Sequence, residues 1–341
     1  VTDAPSAARL PAGEKPDARI RGIGVQASGD DHRSLGRRPE VVDGPDQPQC
    51  LLLARNLQDP APYADRVDDL VLRRGAGGVF LVPDAARPSA YTLRMGRTDQ
   101  SYVDLDDPRY LEFDYVQRLA DALDLVAPPG ERIRIVHVGG ALMTLPRYVA
   151  ATRPHSAQIV LEPDAELTEF VRRHVPLPRQ SGIKVRATAG REGIAELRDD
   201  YADVVIVDAF AGARVPAELT TTEFFADVRR VLGSGGVLML NITDRGLEYA
   251  RRVAAAAAKT FARVTLCTEP STLKGRRFGN IIVLAADREL PLDELAARSA
   301  RSAYPYRVLT GARLEQLISG AAPFTDADSS ASPEPPVTRF R

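Results

Sequence analysis

The sequence predicts an α/β chain in which a parallel sheet is closed by an antiparallel hairpin, preceded by a small β-hairpin domain. Three observations point there. From residue 133 onward, short apolar runs alternate with amphipathic helical patterns. Near the end, two apolar runs, "ARVTLCTEP" and "GNIIVLAAD", are separated only by "STLKGRRF". Ahead of all this, "GGVFLVPD" and "AYTLRMGRTDQSYVDLDD" alternate with period two, as half-buried strands do.

Residues 1–46 are rich in Pro, Gly, Asp and Arg with no apolar period, and disorder is expected. Residues 47–77 read as a weakly ordered lead-in. The β-domain and a linking helix are expected over 78–127. In that helix Leu111, Tyr115, Leu119 and Leu123 share one face, and Pro128-Pro129-Gly130 ends it. A Rossmann-like nucleoside-binding domain should fill 128–322, with strands at 133–138, 158–161, 183–186, 204–207 and 237–241. Helices are expected at 166–174, 191–197 and 222–232. That rhythm demands a parallel sheet covered on both faces, because parallel neighbours need crossover connections. The connector between the last two runs is too short for a helical crossover, so they form an antiparallel pair, with no helix expected between them. Such a sheet is the class I methyltransferase-type Rossmann arrangement. The tail 323–341 reads as disordered.

Composition narrows the function. The 341 residues carry 44% hydrophobic side chains and a formal net charge of −1. Such a chain can pack a core but has no excess of positive charge to attract nucleic acid or anionic lipid. Only four of the 45 basic residues are lysines. The arginine excess looks like the imprint of a high-GC genome, not a binding surface. Cys50 and Cys267 are too far apart for a disulfide framework, and the four histidines have no metal-ligand spacing. No metal is expected. Without an apolar run of membrane length or a secretory leader pattern, a cytoplasmic location is expected.

The nucleoside site begins at "RIVHVGGALMTLPRYVAATRPHSAQIVLEPD". Gly139 and Gly140 let the chain turn tightly against a ligand. The fingerprint GxGxxG is absent, which disfavours dinucleotides, and there is no Walker lysine. Glu162 stands at the end of the next strand, where a carboxylate accepts ribose hydroxyls and repels a phosphorylated sugar. A nucleoside with a free ribose and no pyrophosphate fits, S-adenosylmethionine and its relatives being the commonest. Asp208 follows the strand at 204–207, at the edge where α/β enzymes place chemistry. Residues 209–219 are rich in small side chains and lead to a capping box, Thr220-x-x-Glu223, which describes a lid. Gly233–Gly236 reads as a plain turn.

The stretches "DQSYVDLDDPRYLEFDYVQRL", "VHVGGALMTLPRY", "VLEPD" and "VVIVDAFAGARVPAELTTTEFF" together resemble the spermidine synthase family, the polyamine aminopropyltransferases. The likeness is strongest to the spermidine-synthase-like proteins of actinobacteria and covers about 78–322. It implies transfer of an aminopropyl group from decarboxylated S-adenosylmethionine to an amine, with methylthioadenosine as by-product. It also implies no tightly bound cofactor, Asp208 as the base, Glu162 on the ribose and Gln100 facing the site. Asp104 and Asp107, with Asp106 between them, are candidates to line an amine pocket. Three family acids are missing, at Leu142, Ala189 and Ala211. The partner implied is therefore a small-molecule amine or other nucleophile, and a homodimer is the assembly allowed for. A methyltransferase using S-adenosylmethionine and a non-catalytic nucleoside-binding homologue are the alternatives.

Overall fold

The computed structural model describes residues 70–73 and 77–336. The expectation of disorder over 1–46 lies outside the described residues.

The first sheet is an antiparallel meander of β1 (Val71–Arg73), β2 (Val79–Pro83), β3 (Ala90–Met95) and β4 (Thr98–Asp104). Its first strand falls inside the stretch expected to be weakly ordered. Residues Val71 and Arg73 pair with Phe80 and Val79, so these described residues of the lead-in belong to the sheet. Met95 and Thr98 face each other across a two-residue turn that Gly96 closes at φ +58°. Helix α1 (Asp114–Val126) then leads to the second sheet.

That sheet contains β5 (Arg134–Val138), β6 (Ala157–Leu161), β7 (Ile183–Arg186), β8 (Ala202–Val207), β9 (Leu232–Asp244), β10 (Arg263–Thr268), β11 (Gly279–Ala286) and β12 (Arg307–Leu309). Their order is β12-β10-β11-β9-β8-β5-β6-β7. Pairings from β7 through β9 are parallel, whereas β11 runs against both β9 and β10. The expected parallel sheet closed by an antiparallel hairpin is present. One detail differs. A single helical turn, α7 (Pro270–Leu273), sits in the connector expected to hold no helix, with Pro270 at its start, where a missing N–H costs nothing.

The central strands are buried on both faces, which explains their unbroken apolar character. Val136, Val138, Val205 and Val207 join the core beneath α4 (Gly190–Ala195), α5 (Thr222–Val231), α6 (Glu248–Thr260) and α9 (Gly311–Ile318). Ile135, Val204 and Ile206 point the other way, beneath α1, α2 (Thr144–Thr152) and α8 (Leu292–Arg301). A third core joins the first sheet to α3 (Ala165–His174), and Leu142 is fully buried within it beside Val79, Leu81, Leu93, Val103 and Phe170.

Two further expectations are corrected. Gly233–Gly236 is not a free turn but the bulged start of β9. Leu232 pairs with Ala202 and Val237 with Val204, so the glycines loop out between two paired positions. The tail is ordered far past 323. Phe324 is buried against Tyr249, with ring centroids 5.3 Å apart, and Arg252 lies 4.0 Å over its ring. One aromatic anchor and a series of carbonyl and carboxylate contacts suffice to hold a segment that has no apolar period.

Leu142→Ala is expected to destabilise the protein by about 2–5 kcal/mol, the usual cost of emptying a large apolar site. Urea unfolding followed by circular dichroism measures this, and a loss below about 1 kcal/mol would show that the third core does not depend on Leu142.

Candidate active site

The carboxyl ends of β5, β6 and β8 converge on a cavity of about 500 Å³, a volume typical of small-molecule sites. Among its lining residues are Gln100, Tyr115, Gly139, Gly140, Glu162, Asp208, Asn241 and Asn280. The structure thus brings together five of the seven site residues expected from sequence, contributed by segments far apart in the chain.

The turn after β5 depends on a missing side chain. Gly139 sits at φ +100°, and a Cβ there would lie 2.3 Å from the Asp208 carbonyl oxygen. The Asp208 N–H in turn donates to the Val138 carbonyl at 2.9 Å. Two strand ends therefore touch where only glycine fits. Past it, Ala141 (φ +43°) and Met143 (φ +60°) occupy the left-handed region, each at a cost of roughly 1–2 kcal/mol. Arg147 on α2 braces the turn. Its buried guanidinium donates to the carbonyls of Leu142, Val175 and Pro176, and burial pushes its pKa down to about 10.

Glu162 is aimed by backbone donors. Its Oε2 accepts from the Gly140 N–H at 3.0 Å and the Ala141 N–H at 3.4 Å, and Oε1 accepts from the Asp164 N–H at 3.0 Å. The carboxylate is almost wholly covered, yet it faces the cavity. Asp164 caps α3 by accepting from the Leu167 N–H and pairs with Arg73.

Asp208 is recessed in the cavity, where enclosure pushes its carboxyl up to about 6. Two donors pull against that rise. Asn241 Nδ2 reaches Asp208 Oδ1 at 2.9 Å, and the Tyr115 hydroxyl donates from α1. Asn241 is itself held by Asn280 Nδ2, 3.1 Å from its Oδ1. Burial and the neighbouring Asp208 charge push Tyr115 well above the ordinary phenol range, so it remains a donor. His137 also lines the cavity, but burial pushes its imidazole down to about 4, and its Nε2 is 3.0 Å from Gln158 Oε1. It is neutral near pH 7.

Asp104 and Asp107 lie outside the cavity wall. Asp104 is buried at the end of β4, and burial alone would raise its pKa. Hydrogen bonds from Ser89, Arg87 and two backbone N–H groups outweigh this and hold it below the usual carboxylate range. Asp107 accepts from Arg109. Both are turn-forming acids, satisfied locally. Gln100 does reach the site, and its Nε2 donates to the Gly212 carbonyl of the lid at 3.2 Å. At the positions of the missing acids, Ala189 and Ala211 line the cavity, whereas Leu142 points away into the third core.

Sequence reasoning missed Tyr115, Asn241 and Asn280. Tyr115 was expected to pack on the apolar face of α1, and a tyrosine on such a face carries no mark of where its hydroxyl goes. Asn241 did leave a signal, as one amide in the buried run "VLMLNI". A buried amide needs partners, and here they are Asp208 and Asn280.

No family model matches the chain. A polyamine aminopropyltransferase of Vibrio vulnificus is 30% identical over 164 residues, which is 47% of this chain and 54% of that protein. The chain thus spans about half the length of that relative. A polyamine aminopropyltransferase of Neisseria meningitidis serogroup A is 24% identical over 232 residues, covering 65% of this chain and 85% of the relative. Among solved structures, a probable spermidine synthase from Corynebacterium glutamicum superposes with a TM-score of 0.69 at 28% identity. That superposition covers 77% of this chain and 95% of the other. By its sequence and by its arrangement of two sheets, the chain is similar to the polyamine aminopropyltransferases and the probable spermidine synthase named above.

Proposed function

We propose that this protein transfers an aminopropyl, or related alkyl, group from decarboxylated S-adenosylmethionine to an amine acceptor and releases methylthioadenosine. The observation that carries the reading is Asp208: a carboxylate enclosed at the cavity, near neutrality in pKa, and oriented by Asn241 and Tyr115.

The chemistry is a displacement. An amine nitrogen forms a bond to the carbon beside the sulfonium, and the carbon–sulfur bond breaks with its electron pair going to sulfur. The products are a neutral thioether and a new secondary ammonium. A free alkyl ammonium has a pKa near ~10, as lysine does, so the attacking nitrogen must first lose a proton. Asp208 takes it. Glu162 is placed to accept the ribose hydroxyls, and Gln100 spans from the first sheet to the lid.

The acceptor differs from a simple diamine. Of the cavity carboxylates, Asp99 is paired with Arg94 and Asp164 with Arg73, while Glu162, Asp208 and Glu218 complete the acidic lining. Ala211, Phe210, Phe278 and Pro335 line the cavity as apolar groups. With Leu142 and Ala211 at two family acid positions, putrescine should be a poor acceptor, and an amine with a less charged remainder a better one.

A methyl donor would bring a carboxylate needing free N–H groups near the glycine turn. The Gly139 N–H is bonded to the Leu161 carbonyl at 2.9 Å and the Gly140 N–H to Glu162 at 3.0 Å. That speaks for the decarboxylated donor over methyl transfer.

Glu162→Gln is expected to weaken methylthioadenosine binding by ~1.5–3 kcal/mol, the worth of a hydrogen bond to a charged acceptor, while leaving the fold intact. Calorimetry tests this, and unchanged affinity would remove Glu162 from the ribose site.

Asp208→Asn should lower turnover by roughly 10²–10⁴-fold. Because only the ionised carboxylate accepts a proton, wild-type kcat/KM should rise with pH through about 6, the value to which Asp208 is pushed. Tyr115→Phe removes a donor that favours the carboxylate and should move that rise to higher pH. A profile without this limb, or one that survives Asp208→Asn, would exclude Asp208 as base.

Product identity decides the reaction class. Methylthioadenosine release marks alkyl transfer and S-adenosylhomocysteine release marks methyl transfer. Protein that forms neither with any acceptor, yet binds methylthioadenosine, is a non-catalytic binding homologue.

A further inference from the structure

The lid is not a free loop in this fold, because the C-terminal segment runs across it. After α9 the chain crosses the start of α5, where the Phe324 carbonyl accepts from both the N–H and the Oγ1 of Thr222, each at 2.9 Å. Asp326 accepts from Thr221 Oγ1 at 2.6 Å and from Arg191 at 2.9 Å, and its N–H donates to Glu223 Oε2 at 3.0 Å. These contacts fasten the segment at the lid's exit.

Six residues later it meets the lid itself. Ser332 is fully buried and exchanges two bonds with Val215. Its N–H donates to the Val215 carbonyl at 3.1 Å, and its Oγ accepts from the Val215 N–H at 2.9 Å. The same Oγ is 3.2 Å from Thr243 Oγ1, on β9. Arg214 donates to the Ser332 carbonyl at 2.6 Å and to the Ala331 carbonyl at 3.2 Å. Three residues on, Pro335 forms part of the cavity wall.

We propose that Ser332 is a positioning residue for the lid: the segment 324–335 straps residues 214–215 to β9 and supplies Pro335 to the cavity wall. The lid is then gripped from two sides, by Gln100 from the first sheet at Gly212 and by the strap at Arg214 and Val215. Around Gly212, Ala211 and Arg214 close a tight backbone pair, with N···O distances of 2.9 and 3.4 Å. Since the lid starts directly after Asp208, its closure sets how far the carboxylate is shielded from water. Ser332 acts through Val215, Arg214 and Thr243 and touches no reacting atom. The strap deepens the proposed transfer by adding a wall that the acceptor must pass, but the contacts exist whether or not transfer occurs.

Ser332→Ala and Arg214→Met in the full chain, without ligand, test the strap by amide hydrogen exchange and mass spectrometry. Exchange over 209–219 should accelerate at least tenfold in both variants, while amides of β5 and β8 keep their wild-type protection. In steady-state assays the acceptor KM should rise severalfold with kcat changed less than twofold. Unchanged lid exchange in folded variants would overturn the proposal, and so would a uniform loss of protection across β5 and β8, which marks a merely structural contact. Arg214 is partly exposed, so Arg214→Met keeps the test decisive if Ser332→Ala fails to fold. The exchange experiment needs no turnover, so its outcome and that of the proposed transfer fail separately.

Discussion

A carboxylate partly withdrawn from water is stable only if its surroundings replace the lost water, and Asp208 sets that requirement for the elements around it. Two amides and a phenol answer it. Tyr115 and Asn241 donate directly, and Asn280 holds Asn241 in the required orientation. These groups come from α1, β9 and β11, so the charge is satisfied only when those three elements are in place. The antiparallel insertion of β11 beside β9 brings Asn280 next to Asn241. The topology and the site are one arrangement.

Close backbone approach is the second constraint. Gly139 lets β5 end against β8 at a distance no side chain would permit. The price of the turn that follows is two non-glycine residues in the left-handed region, Ala141 and Met143. What they gain is visible in the residue between them. Leu142 drops into the core joining the first sheet to α3, and Arg147 ties the turn's carbonyls to those after α3. Where the family resemblance implied an acid, this chain has a residue packed against the first sheet.

Charged groups are also used structurally. Arg147 and Arg153 are both almost wholly buried, with Arg153 bonded to Asp124 and the Ala127 carbonyl. Planar guanidinium groups can satisfy several carbonyls at once, which lysine cannot do with the same geometry. Part of the arginine excess therefore serves the interior and the C-terminal strap, where Arg191, Arg214 and Arg252 each hold the segment after 322.

The sequence by itself determined the βα order, the antiparallel closure, the glycine turn and the acids at 162 and 208. Each of these rests on local patterning: apolar runs, turn residues and an acid at a strand end are visible within about ten residues. Only the tertiary structure decided that Tyr115 and Asn241 serve Asp208, that Asp104 and Asp107 close a turn away from the cavity, and that Leu142 faces a core. It also decided that a tail without apolar period is held in place. The contacts that bring distant segments together range from 33 residues of chain between Asn241 and Asp208 to 117 between Ser332 and Val215. Hydrogen bonds of that range leave no periodic trace, because each partner satisfies its own geometry and imposes nothing on its sequence neighbours.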